Sequence, residues 1–257
     1  MSSIELRVAL LSGEQIAIAR PPQSTIGELR EVAQKRFGKS LGKLVSAVGT
    51  LLLEPDTLLQ AGVKENDVIT GIVQDVAVAA TRYAFAAIRP NGTVVSWGCR
   101  RHGGDCRAVQ DHLQNVQQIQ ATDCAFAAIL GDGSVVSWGH PDGGGNSSAV
   151  REDLHGVSYV QATSAAFAAI KVDGSVVTWG SPIDGGNCAA VRDQLRNVQC
   201  IQSSFGAFAA LREDGRVVTW GDTLFGGRSD VPDELQGVLQ VFGHEHGFVA
   251  VKALGRC

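Results

Sequence analysis

Two hydrophobic rhythms divide the chain. In the first 74 residues the apolar positions change from strand spacing to helix spacing and back. Ile4-Glu5-Leu6-Arg7-Val8-Ala9-Leu10 alternates apolar and polar residues, as a half-buried strand does. Ser12-Gly13 supplies a turn, Gln15-Ile16-Ala17-Ile18-Ala19 alternates again, and Pro21-Pro22 ends it, so a β-hairpin is predicted. Thr25-Ile26-Gly27-Glu28 has capping-box form, and Ile26, Leu29, Val32, Ala33 and Phe37 follow at helical spacing, with Gly38 placed to end the helix. Leu44–Val48, Leu51–Leu53 and Asp67–Val73 are predicted as later strands, with Leu58, Leu59 and Val63 on a short connecting turn.

From about residue 76 the rhythm becomes a repeat. Ala84-Phe85-Ala86-Ala87-Ile88, two residues, Asn91-Gly92, then Thr93-Val94-Val95-Ser96-Trp97-Gly98 returns three more times. The phenylalanines are Phe85, Phe126, Phe167 and Phe208, and the tryptophans are Trp97, Trp138, Trp179 and Trp220, both at a constant step of 41. A period of this length predicts a stacked or radial repeat architecture. Each unit opens with a short strand such as Val78–Thr81, Ile119–Thr122, Val160–Thr163 or Ile201–Ser204. The Ala-Phe-Ala-Ala-Ile/Leu strand is apolar on both faces and must lie between neighbours. Asn91-Gly92, Asp132-Gly133, Asp173-Gly174 and Asp214-Gly215 are read as two-residue type I′ turns. The triplets Val109/Leu113/Val116, Val150/Leu154/Val157, Val191/Leu195/Val198 and Val231/Leu235/Val238 suggest one short helix or helical turn per unit, with Asp230 before Val231-Pro232 as a helix start. A fifth unit begins at Val241 and Phe248–Lys252, but Leu254-Gly255-Arg256 stands where its turn should be and no Trp-Gly strand follows. Either a small ring closes on the first unit, or the units form a partial arc with an open apolar edge.

Composition narrows the function. The chain has 257 residues, of which 44% are hydrophobic and 19% charged, as in folded proteins. The net charge is −4, and the first 74 residues hold eight basic and eight acidic side chains, so the excess acid lies in the repeats. No basic stripe marks a nucleic-acid partner. The first residues lack the form of a signal peptide, and no apolar run approaches a membrane span, so a cytoplasmic or nuclear location is expected. The cysteines at 99, 106, 124, 188, 200 and 257 form no CxxC pair; they are read as free thiols, with Cys124 and Cys200 as small core residues.

The element order of residues 1–74, with Gly49 to Leu58 and Lys64-Glu65-Asn66-Asp67-Val68-Ile69, resembles the ubiquitin-like β-grasp family. The resemblance implies an apolar recognition patch on Leu11, Ser46 and Ile72, which Ser46 interrupts. Ile72-Val73-Gln74-Asp75 lacks the family's terminal Gly-Gly, so a built-in domain, not a conjugated modifier, is implied; a plain folded cap on the repeats is the alternative. Residues 76–257 resemble the repeats of the regulator of chromosome condensation family in the Asp-Gly turn, the Trp-Gly pair and the glycine six residues past each tryptophan, Gly103, Gly144, Gly185 and Gly226. That family forms β-propellers. The asparagine expected three residues past each tryptophan is replaced by Arg100, Pro141, Pro182 and Thr223, and four units are fewer than the family's ring. The expected fold is thus an α+β β-grasp domain plus a mainly-β, propeller-like repeat domain of four to five units.

No catalytic constellation or cofactor motif stands out. His244 and His246 are spaced to share a strand face, but lack an evident third metal ligand. The glycine loops at Asp142–Asn146 and Asp184–Asn187 lack the lysine and Ser/Thr of a phosphate loop. The loops at 99–105, 140–147, 181–187 and 222–228 differ among units whose core positions do not, which suits specificity. The candidate protein-binding residues are Arg100, Arg101, His102, His140, Asp142, Asn146, Asp184, Asn187, Thr223 and Arg228. The expected function is a non-enzymatic interaction or adaptor protein, its partner a ubiquitin-pathway component by resemblance. The alternatives are a fragment or relative of a ubiquitin ligase bearing such repeats, and an exchange regulator of a small GTPase.

Overall fold

A computed structural model describes residues 3–39, 41–73, 77–89, 91–228 and 236–252. Chain contacts divide it into two compact units, residues 1–76 and 77–257. The expected features at Asp230, Val231, Pro232, Leu235 and 254–257 lie outside the described residues.

In the first unit β1 (Ile4–Leu10) and β2 (Gln15–Arg20) form the expected hairpin. Helix α1 (Ile26–Phe37) starts on a complete capping box: the Glu28 amide donates to Thr25 Oγ1 at 3.2 Å and the Thr25 amide to Glu28 Oε2 at 3.1 Å. Gly38 ends it at φ 63°. With β3 (Leu41–Val45), β4 (Leu51–Leu52) and β5 (Val68–Val73), the sheet order is β2-β1-β5-β3-β4, and β1 and β5 run parallel at its centre. This is a β-grasp order. Leu6, Val8, Ile18, Ile26, Leu29, Leu44, Leu58 and Ile69 fill the space between sheet and helix. The third strand starts earlier than expected and stops at Val45, because Ser46–Thr50 closes a turn in which Ser46 Oγ accepts from the Thr50 amide. Ser46 therefore leaves the sheet. The cross-strand neighbour of Ile72 is Lys43, not Ser46.

The second unit is a series of small antiparallel sheets of one design. They are β6 (Val78–Ala80), β7 (Ala84–Ile88) and β8 (Val94–Gly98); β9 (Val116–Ala121), β10 (Ala125–Leu130) and β11 (Val135–Gly139); β12 (Val157–Ala162), β13 (Ala166–Lys171) and β14 (Val176–Gly180); and β15 (Val198–Ser203), β16 (Ala207–Arg212) and β17 (Val217–Gly221). A hairpin of β18 (Val238–His244) and β19 (Gly247–Lys252) follows. Strand alternation gives each complete sheet two unlike apolar faces. Phe126 and Trp138 point one way from the second sheet; Ala125, Ala127, Ile129 and Val135 point the other, onto Phe167 and Trp179 of the next. Large rings on one face settle against small alanines on the other, and this joint recurs from sheet to sheet.

Two local expectations are corrected. The hairpins between the second and third strands are not type I′ turns. Only the glycine has positive φ, for example 78° at Gly133, and the Gly133 amide donates to Leu130 O while Leu130 N donates to Ser134 O. This is a three-residue loop with a bulged glycine. The aspartate keeps negative φ because its side chain is engaged: Asp132 Oδ1 accepts from the amide and hydroxyl of Ser134 at 2.9 and 2.7 Å. These bonds hold the Asp132 carboxyl below its ordinary pKa, as the Ser175 bonds do for Asp173. Each described apolar triplet starts at the expected helical turn, a 3₁₀ one, and ends on the next strand. Val109 and Leu113 sit on or just after a 3₁₀ turn (Arg107–His112), while Val116 begins the next strand. The core thiols are Cys106 and Cys188, at 4% and 2% exposure, not Cys124 and Cys200, which are half-buried.

Candidate functional site

One end of the second unit carries four short loops on a constant scaffold. After each Trp-Gly pair the chain makes a short turn, 3₁₀-helical at Arg100–His102, Pro141–Gly143 and Thr223–Phe225 and kinked at Gly185 (φ 98°) within Pro182–Gly186. The residue before each turn caps it where its side chain allows. His140 Nδ1 accepts from the Asp142 amide, and Asp222 Oδ1 from the Leu224 amide. A recurrent hydroxyl then pins the tip. Thr81, Thr122, Thr163 and Ser204 donate to the carbonyls of His102, Gly143, Asp184 and Phe225 at 3.0, 2.9, 3.0 and 2.8 Å. Each loop is thereby held against the turn between the first two strands of its own sheet.

Those turns are linked to each other. The amide of Arg82 donates to Asp123 O, Asp123 to Ser164 O, Ser164 to Phe205 O, and Phe205 to Glu245 O, at 3.0, 2.8, 2.8 and 3.1 Å. The ladder joins the five sheets along one rim and sets the spacing of the loops. A second tie runs through the tryptophans: the indoles of Trp138, Trp179 and Trp220 each donate to a glycine carbonyl of the preceding unit (Gly103, Gly144, Gly185) at 3.0 Å. The recurrent glycine past each tryptophan thus serves the neighbouring indole and ring. A Cβ on Gly144 would meet the Phe167 ring at 2.6 Å.

The rim changes character along its length. At the first repeat Arg82, Arg100 and Arg101 are exposed, and His102 meets Tyr83 edge-on at 4.8 Å. Arg82 pairs with Asp123 of the second repeat at 2.7 Å, an exposed pair worth about 0–1 kcal/mol. The second and third repeats contribute His140, Asp142 and Asp184, and a groove of about 430 Å³ runs between their loops, lined by Cys124, His140, Asp142, Ala165, Ser181 and Pro182. Asp184 is partly buried and accepts from Ser164 and Ser181. At the far end the surface is apolar and aromatic, with Leu224 exposed and Phe225 packed against Phe205 and His246 at 5.1 and 6.1 Å.

The ten sequence candidates fall into two groups. Arg100, Arg101, His102, His140, Asp142, Asp184 and Thr223 belong to the short turns or their caps. Asn146, Asn187 and Arg228 share another repeat position with Asp105. There Asn146 and Asn187 accept from the amides of Ser148 and Ala189, so those side chains shape the chain. Asp105 accepts from the Arg107 guanidinium at 2.9 and 2.7 Å and pairs with Arg100 at 2.9 Å; the Arg107 bonds hold its carboxyl far below the usual range. Sequence reasoning missed Arg82, Asp123, Ser164 and Phe205. Their signal was present: each follows a recurrent Thr or Ser, yet no two are alike.

Cys124, in the groove, has its thiol pushed up by burial and by the neighbouring Asp123 carboxylate. Thiolate is the reactive form. Iodoacetamide at pH 8, read by peptide mass spectrometry, is expected to label exposed Cys99 several-fold faster than Cys124. Among the described residues no group of three or more His, Cys, Asp or Glu is placed to hold a metal ion, and no helix is long and apolar enough to cross a membrane.

No family model matches the chain, and no curated protein matches it. Among solved structures it is similar to a de novo design based on ubiquitin, with 19% identity, 30% of this chain and 94% of the other covered, and a TM-score of 0.27. It is similar also to the ubiquitin of Caldiarchaeum subterraneum, with 19% identity, 29% and 98% covered, and a TM-score of 0.27. The β-grasp order of the first unit stands on its own strand topology.

Proposed function

We propose that the second unit is a propeller-like platform that binds a protein through the rim of loops, and that the chain is an adaptor without an activity of its own. One observation carries this reading: side chains that vary from unit to unit project from turns whose anchoring hydroxyl bond does not vary. A constant scaffold with variable tips is the arrangement in which specificity can change without loss of fold. The gradient from arginine through carboxylates to aromatic residues favours a partner that spans several units, with charged and apolar patches in matching order. The resemblance of the repeats to the condensation-regulator family supports the propeller-like geometry, and the β-grasp order of the first unit supports a connection with the ubiquitin pathway.

The test is site-specific photo-crosslinking in cells. A benzophenone residue at Arg101, Asp142 or Leu224 should capture one common protein. The same residue at Val172, 80% exposed on a hairpin at the opposite end of its strand, should not. Equal capture from both ends, or none from the rim, would sink the proposal. The identity of the captured protein tells a ubiquitin-pathway component from a small GTPase.

A further inference from the structure

The complete joints of the second unit leave one half-joint over at each end. At each of the three joints between complete sheets a Phe–Trp face lies on the alanine face of the sheet before it, and Phe126, Phe167 and Phe208 are 0% exposed. The first sheet bears the same face. Phe85 and Trp97 stack at 5.6 Å, yet each is 46% exposed. At the other end the outer face of the β18–β19 hairpin places Val249 and Val251 where the fourth sheet has Ala209 and Leu211, with Phe242 paired to Val249. These three are 58%, 43% and 49% exposed. In the fourth sheet the residue corresponding to Phe242 is Gln202, so the end face is more apolar than the internal face it resembles. The backbone ladder is polar in the same sense. It runs from the Arg82 amide to the Glu245 carbonyl, so the next acceptor in line is Arg82 O at one end and the next donor is the Glu245 amide at the other.

We propose that a second copy of this chain completes these half-joints head to tail, the Phe85–Trp97 face of one copy receiving the Phe242–Val249–Val251 face of the other. The occupant is argued from continuity with the internal joints. The two ends carry opposite halves of one interface, the Phe85–Trp97 face with a carbonyl and the Phe242–Val249–Val251 face with an amide. A symmetric contact of two Phe85–Trp97 faces would bring two acceptors together and leave both hairpin ends bare. Contacts of unlike faces build rings or chains of copies.

Sedimentation of the full chain over about a hundredfold range of concentration should show a mass at least twice 27.0 kDa that falls on dilution. Phe85→Glu and Val249→Glu should each be monomeric, with unchanged circular dichroism because both positions are at the surface. Mixing the two variants should restore a dimer, since each supplies the end the other has lost. Trp97 is the one half-exposed tryptophan, so its quenching by iodide should fall as the wild-type chain associates. A wild-type monomer throughout the range overturns the proposal. So does a Val249→Glu chain that still dimerises, which would mean a symmetric contact, or a mixture that stays monomeric.

Discussion

Phe167→Ala is expected to destabilise the repeat unit by about 3–5 kcal/mol, whereas Phe85→Ala, the same position of the same repeat, is expected to cost less than about 1 kcal/mol in dilute solution. Phe167 is fully buried between the second and third sheets and stacks on Trp179 at 5.1 Å. Its removal leaves a cavity that neighbouring sheets, tied by the backbone ladder and the indole bonds, cannot collapse to fill. It also weakens a joint at the middle of the array, and in a repeat protein such a loss divides the array into parts that must stand alone. Phe85 already meets solvent on one side, so its truncation gives up little burial. Denaturant unfolding followed by tryptophan fluorescence checks this directly, because all four tryptophans lie in the second unit. Equal costs at the two positions would mean that the first sheet's face is covered in dilute solution as well.

Gly180→Ala is expected to cost about 3–5 kcal/mol or to prevent folding of the unit, while Gly156→Asn should stay within about 0.5 kcal/mol of wild type. Both glycines have positive φ, 99° and 62°. They differ in what surrounds them. A Cβ on Gly180 would stand 2.6 Å from Ala165 O, 2.9 Å from Ala166 Cα and 3.2 Å from Gly144 Cα, all backbone atoms that cannot step aside. At Gly156 it would meet only a Val172 methyl at 3.4 Å. The corresponding residues of neighbouring units are Asn115 and Asn197, at φ 51° and 53°, so the fold already uses asparagine there. Asparagine tolerates the left-handed region better than other residues with a Cβ. Thermal unfolding of the two variants separates conformational preference from steric exclusion; similar melting temperatures would contradict the contacts at Gly180.

Much of the architecture was legible along the chain. The capping box at Thr25 and Glu28, the strand alternation of residues 4–20 and the 41-residue step depend on neighbours a few residues away, and short-range patterns report such features well. The errors lie where a longer-range partner decides. Asp132-Gly133 fits more than one tight turn, and the one adopted lets the Gly133 carbonyl accept from the Val157 amide of the next repeat at 2.8 Å. Cys106 and Cys188 are buried only because a neighbouring sheet closes over them. The variable loops were visible as differences between repeats. The residues beside them, Arg82 to Phe205, became part of the rim only once the recurrent hydroxyls had brought turn and loop together.

The repeating unit, its strands and the two unlike faces of every sheet follow from the chain alone, since alternation and turn chemistry act within each copy. Which copies of a face would be buried does not follow from the chain alone. Phe85 and Phe167 occupy the same place in the same motif, and one is half in water while the other is sealed. Burial belongs to the pair of surfaces that meet, not to either strand, and an end unit has a neighbour on one side only. Tertiary structure therefore decided where the apolar surface remains and which carbonyl faces each indole.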